Sequence, residues 1–270
     1  IMSGATNLDQ SLSDLDSGTA GYPAPSRASS GVERALDFVS RNWLWFVNGF
    51  WGLLVFGSLL PPLFMALGWR GAADLMYTIY SFTCHQLPER SFFLFGEGAS
   101  FTMYELPALV AAGADGSNLL ALRQFVGSPE LGWKLGFSDR MVGMYGGAFV
   151  AGIIYWLLAR RGRVRPFPMW LVLLMILPMA LDGTSHLLSE VTALGFRETN
   201  AWAYPLFGNQ SEFFYTGTTF GSLNSTLRLV TGTLFGLGMM LFAYPYMDLG
   251  FGDLHDEVGR TRQARVQYEA

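Results

Sequence analysis

The sequence predicts an all-α fold, a polytopic transmembrane helix bundle with about four spans plus a short interfacial or re-entrant helix. Two observations carry that prediction. Of 270 residues, 51% are hydrophobic and only 14% charged, where soluble domains carry about a quarter charged residues. The apolar residues also gather in four stretches long enough for a hydrocarbon core of about 30 Å. The mean hydropathy of +0.29 and a wealth of Phe, Trp and Gly agree, since aromatics anchor helices at the interface and glycine is common in membrane helices. A net charge of -4 argues against nucleic acid as a partner. The single cysteine, Cys84, excludes an internal disulfide and a four-thiolate metal site. Lys134 is the one lysine in the chain.

Residues 1–30 form a low-complexity segment rich in Ser, Gly, Asp, Ala and Pro, unable to bury enough surface to fold alone. It is too polar and acidic to serve as a secretory signal. The membrane domain is expected over 31–250. An amphipathic lead-in at 31–42 is followed by a first span at about 43–67, with Trp43, Trp45 and Trp69 at its ends. Pro61-Pro62 should kink or loosen its last turns. Residues 71–84 make an apolar helix too short to span, read as interfacial or re-entrant. A mixed stretch runs on to Ser138, with a short helix near 117–126. The second span covers 139–159 with Ser138-Asp139 as its N-cap, the third 168–188 and the fourth 220–247. A charged tail, 251–270, closes the chain, and His255 within it is expected to be solvated.

Arg160, Arg161, Arg163 and Arg165 crowd the loop after the second span. By the positive-inside rule that loop is cytoplasmic, which puts both termini inside and loops 69–138 and 189–219 outside. The expected location is a bacterial inner (cytoplasmic) membrane.

On this topology the unusual polar residues all fall at the outer ends of the spans: Cys84, His85, Gln86, Arg90, Asp139, Arg140, Asp182, His186, Asn224 and Arg228. Ionisable groups at membrane depth are costly and face a partner or a cavity. Asp182 and His186, four residues apart, share a helix face. Asp182 is expected to pair with Arg228, with Arg140 or His85 close by. A structural ion pair between two helices is one reading of that pair, and a functional cavity the other. A metal or haem site would need convergent ligands, and the spacing of Cys84, His85, Asp139, Asp182 and His186 matches no metal motif. Catalysis by Cys84 would need a base and an orienting group. Gly143, Gly146 and Gly147 suit close helix packing. The aromatic run from Tyr204 to Tyr215 reads as interfacial anchoring or as the wall of a lipid or quinone pocket.

The run CHQLPERSFFLFG at 84–96 resembles a family of bacterial and archaeal membrane proteins known as a domain of unknown function. Arg140 with Gly143-Met144-Tyr145, LPMALDG at 177–183, and Asn224, Arg228 and Thr231-Gly232 follow in order. The likeness covers about 45–247 and implies membrane architecture without an activity. Many members carry two cysteines around the arginine matching Arg140. Ser138 and Met141 stand there in this chain, so the thiol-based metal or redox role those members suggest is not expected of it.

Three functions fit these residues. The first is a non-catalytic accessory or scaffold subunit of a larger, energy-transducing membrane complex, with membrane lipids and other subunits as partners. The second is a membrane enzyme or small carrier whose outward-facing cavity is lined by His85, Asp139, Asp182, His186 and Arg228. The third is a haem- or pigment-binding subunit using His85 or His186 as axial ligand. The cofactor, if any, stays open.

Overall fold

The structure, a computed structural model, describes residues 27–98, 101–162 and 164–269. Residues 1–26 of the low-complexity segment, the side chains of 27–30 and Arg163 of the arginine loop lie outside the described residues. The chain divides into two units, Ile1–Arg41 with Gly252–Ala270, and Asn42–Phe251.

Four helices are long and apolar enough to cross a membrane. The first, α1 (Arg27–Gly57), includes the amphipathic lead-in and the start of the expected first span. It breaks at Ser58-Leu59, and α2 (Leu60–Ala66) restarts with proline in its first turn, where a missing N–H costs nothing. One candidate span, Gly31–Ala66, takes in both helices, and the two-residue break just before Pro61-Pro62 is where its last turns loosen, as expected. The other long helices are α6 (Asp139–Ala159), α7 (Met169–Thr192) and α11 (Leu223–Glu269). Helix α11 continues through the segment read from sequence as a tail.

In the unit containing both termini, acidic residues of α1 pair with basic residues of α11. His255 Nδ1 lies 2.7 Å from Asp37, and Arg265 pairs with Glu33. His255 is thus held by a hydrogen bond to Asp37, contrary to the expectation that it is merely solvated.

In the unit 42–251, glycines set the spacing of α6 and α11. A Cβ on Gly143 would lie 2.6 Å from the Leu229 carbonyl oxygen, and one on Gly147 2.5 Å from that of Thr233. Gly232 and Gly236 return the arrangement against Arg140 and Met144. Two small-xxx-small stripes therefore face each other and let the backbones touch. Gly146 faces open space and takes no part. Toward the arginine loop, Trp43 packs with Tyr155, Tyr244 and Phe251.

The stretch 70–138 folds into a cap at the other end. Helix α3 (Arg70–Ser81) fills the place of the expected interfacial or re-entrant helix. Beyond it lies a four-stranded antiparallel sheet of β1 (Ser91–Leu94), β2 (Phe101–Thr102), β3 (Gly127–Ser128) and β4 (Gly132–Ser138), in the order β2-β1-β4-β3. Helices α4 (Leu106–Ala111) and α5 (Leu119–Gln124) cover it over Leu87, Phe93, Leu109 and Leu122. Three short helices, α8 (Phe196–Thr199), α9 (Tyr204–Phe207) and α10 (Glu212–Thr216), fill the connection from α7 to α11. The fold is helical in its spans, with a minor sheet that the sequence did not signal.

Candidate functional site

The site lies where α6 begins, α7 ends and α11 begins, at the end of the bundle away from the arginine loop. Ser138 occupies the N-cap position of α6, but its side chain makes no cap bond. Its hydroxyl lies 3.4 Å from Cys84 Sγ. Asp139 accepts from the Arg140 backbone N–H at 2.7 Å, satisfying one of the donors a helix start leaves open.

Asp139 is fully buried. Both its carboxylate oxygens accept from Arg228 Nε, at 3.0 and 2.8 Å, and Ser225 Oγ donates to it at 3.1 Å. Arg228 also donates through Nη2 to the Thr218 carbonyl. The Asp182 carboxylate is shared by two arginines instead: Arg140 Nη2 at 2.7 Å on Oδ2 and Arg197 Nη2 at 2.7 Å on Oδ1. His186 Nε2 is 2.9 Å from Arg197 Nη2 and 3.9 Å from Asp182. Because arginine only donates, that nitrogen accepts from Arg197.

The expected pair Asp182–Arg228 is therefore replaced by two separate pairings, Asp139–Arg228 and Asp182 with Arg140 and Arg197. Of the expected neighbours, Arg140 and His186 do join Asp182. The physical reason is helical phase: Asp139 and Arg140 point about 100° apart on one helix, so each addresses a different neighbour.

The remaining candidates divide. Asn224 donates to the Arg197 and Gly217 carbonyls and accepts from Asn200, which fixes the α8–α10 connection. Cys84 and Gln86 belong to a second network. Gln86 donates to the Tyr77 carbonyl at 2.8 Å, and its own carbonyl accepts from Lys134 Nζ at 2.9 Å. Arg90 sits beside Glu89 at 3.5 Å. His85 is exposed, and desolvation together with Arg90, Arg123 and Arg140 lowers its pKa from the ordinary value. Among the described residues no group of three His, Cys, Asp or Glu is placed to hold a metal.

Sequence reasoning missed three residues. Arg197, 4% exposed, completes the Asp182 cluster from a short loop helix. Its signal was its isolation, as the sole basic residue of 189–219. Glu105 accepts four hydrogen bonds from the amides and hydroxyls of Thr218 and Thr219, tying the cap to the start of α11. Burial would raise its pKa, but those bonds outweigh it and lower it. Lys134 is buried, donates to the Gln86 and Arg123 carbonyls, and desolvation brings its pKa down to about 7.

A cavity of about 460 Å³ adjoins the Asp182 cluster, lined by Pro178, Leu181, Asp182 and Ser185 of α7, Phe196, Arg197 and Trp202 of the loop, and Leu227 and Thr231 of α11.

Fold and site together define a polytopic helical membrane protein with a buried, arginine-rich polar end. Residues 130–242 match the family model described as "Predicted membrane protein (DUF2085)". The chain is 27% identical over 145 residues to the uncharacterized protein MJ1492 of Methanocaldococcus jannaschii, a stretch covering 52% of this chain and 66% of that relative. The chain is thus similar to an uncharacterised membrane protein family. No solved structure matches it.

Proposed function

We propose that this chain is a ligand-binding membrane protein, of the carrier or membrane-enzyme class, that receives an anionic group at its polar end. The supporting observation is the charge balance around Asp182. Arg140 and Arg197 share its carboxylate while Arg228 takes Asp139, so three arginines meet two carboxylates. A surplus cation in a water-poor setting is costly, and an anion at Arg140 or Arg197 offsets that cost. Arginine is suited to this task because its fork of donors fits carboxylate and phosphate. With the arginine loop on the cytoplasmic side, this end opens outward.

The test is thermal unfolding of the purified protein in detergent, titrated with inorganic phosphate at constant ionic strength. Phosphate is expected to raise the midpoint of the wild type and to have a weaker effect on Arg140→Gln. Equal shifts in both proteins, or none in either, would refute the reading. A second reading, an accessory subunit of a larger membrane complex, is supported by α7, which is the least buried of the four spans and presents Leu173, Leu174, Leu177 and Leu181 outward. Co-purification of a stoichiometric partner that is lost when these leucines are changed to tryptophan would favour it.

A further inference from the structure

We infer that the cavity between α7, α8 and α11 is a binding site for an anionic amphiphile, an acyl chain with a carboxylate or phosphate head, taken laterally from the bilayer. The inference rests on the anion-binding reading and adds the ligand class and the direction of access.

Two wall residues carry buried polar groups that the protein leaves unpaired. Arg197 Nε and Thr231 Oγ1 have no hydrogen-bond partner among the described residues, and both side chains are about 4% exposed. Leaving such a group unmade costs about 1–3 kcal/mol, more when it is charged. Both residues line one cavity, and a rotamer adjustment of the kind common on binding turns each toward a ligand. An incoming carboxylate or phosphate accepts from both. It also balances the second arginine on Asp182.

The rest of the cavity suits a chain rather than a free inorganic ion. Pro178, Leu181, Phe196 and Leu227 supply the apolar wall, and a volume of about 460 Å³ falls within the range of small-molecule sites, about 300–1,000 Å³. Leu181 is 60% exposed and Trp202 45% exposed, so the rim continues the outward apolar face of α7. That face meets hydrocarbon in a membrane, and an acyl chain reaches the cavity without crossing water. Trp202 stands at the rim, its ring 5.7 Å from the Arg197 guanidinium.

Quenching of tryptophan fluorescence tests the inference on the purified full chain in nanodiscs of uncharged lipid. The probes are dibromostearate, a brominated phosphatidylglycerol and dibromostearyl alcohol, each run against wild type and Trp202→Phe. Saturable quenching by an anionic probe is expected, largely absent in Trp202→Phe, with affinity falling several-fold in Thr231→Val and roughly tenfold or more in Arg197→Gln. Leu227→Trp, which fills the cavity without removing a charge, should abolish saturation, and it keeps the test valid where Arg197→Gln does not fold. Quenching by dibromostearate assigns the head as a free carboxylate; quenching by the brominated lipid alone assigns it as a phosphodiester. Equal quenching by the alcohol would overturn the role of the head, and quenching unchanged by Leu227→Trp would overturn the site. Phosphate stabilisation without saturable quenching by any probe would sink this inference and leave the anion-binding reading standing, whereas loss of both would sink the two together.

Discussion

Asp139 and Asp182 sit at the same end of the same bundle, and both are held by arginine, yet their surroundings differ in kind. Asp139 is 0% exposed and keeps Arg228 to itself, with Ser225 and a helix amide completing its hydrogen bonds. Asp182 divides its carboxylate between Arg140 and Arg197 and borders a cavity. One pair is balanced and sealed; the other is over-supplied with cation and borders a cavity. Balance suits a lock between helices, and imbalance beside a cavity suits a ligand.

The largest effect should come from breaking the sealed pair. Asp139→Asn leaves Arg228 charged and buried, which costs about 3–5 kcal/mol in such pairs. Asp182→Asn should cost less, because Arg140 is partly exposed and the buried Arg197 borders a cavity in which an anion can replace the lost carboxylate. The same change removes a negative charge beside Arg197, so it should strengthen phosphate-dependent stabilisation. Thermal unfolding of both variants, with and without phosphate, checks this. Equal losses, or weaker phosphate stabilisation in Asp182→Asn, would erase the distinction.

Lys134 extends the comparison to a sealed cation with no carboxylate at all, only the Gln86 and Arg123 carbonyls. Burial, reinforced by Arg123 and opposed by Cys84, brings its pKa down to about 7, against about 10.4 in an unfolded chain. Between those values the unfolded chain holds a proton the folded protein has released. Stability contributed here therefore rises with pH, by roughly 1 kcal/mol per unit across the window from about 7 to about 10. Unfolding measured across that window should show the slope in the wild type and lose most of it in Lys134→Met. An unchanged slope would mean that Lys134 keeps its proton.

The spans were legible because apolar runs of about twenty residues are a signal each segment carries alone. The sheet was not, since its longest ladder pairs Phe93 with Lys134 and Leu94 with Trp133, about forty residues apart, and β2 and β3 are only two residues long. At the site the polar residues announced themselves by position, but their partners depended on how each helix is rotated. Neighbouring Asp139 and Arg140 turn to different helices, and Arg197 arrives from a loop that no helical pattern reports. The glycines of α6 were read correctly for Gly143 and Gly147. Their stripe in α11, Gly232 and Gly236, completes the contact that brings Asp139 within reach of Arg228. Gly236→Leu should push the two helices apart and cost about 1–3 kcal/mol, as over-packing does, while Gly146→Leu should be nearly neutral. A comparable loss in both variants, read by thermal unfolding, would remove the glycine contact as the support of the sealed pair.

The smallest effect is expected one residue before Asp139, and it sharpens the boundary of the sealed region. Cys84 Sγ lies 3.4 Å from Ser138 Oγ and accepts from the Ser138 amide at 3.3 Å, and Met141 packs against the same cluster. Ser138 therefore meets Cys84 directly, although about fifty residues separate the two in sequence. Ser138→Cys keeps the amide bond and exchanges one weak hydrogen bond, so it should cost about 1 kcal/mol or less. It also brings two thiols into contact. Mild oxidation should join them, seen as loss of both maleimide-reactive thiols after unfolding and as a mass lower by two hydrogens. With Cys84 and Ser138 only 4% and 7% exposed, the bond should form slowly in the folded protein and resist added reductant until it unfolds. Two thiols that stay reactive after prolonged oxidation would show that the side chains do not face each other. Rapid, freely reversible oxidation would show instead that this part of the polar end is open, and the contrast with Asp182 would lose its sealed member.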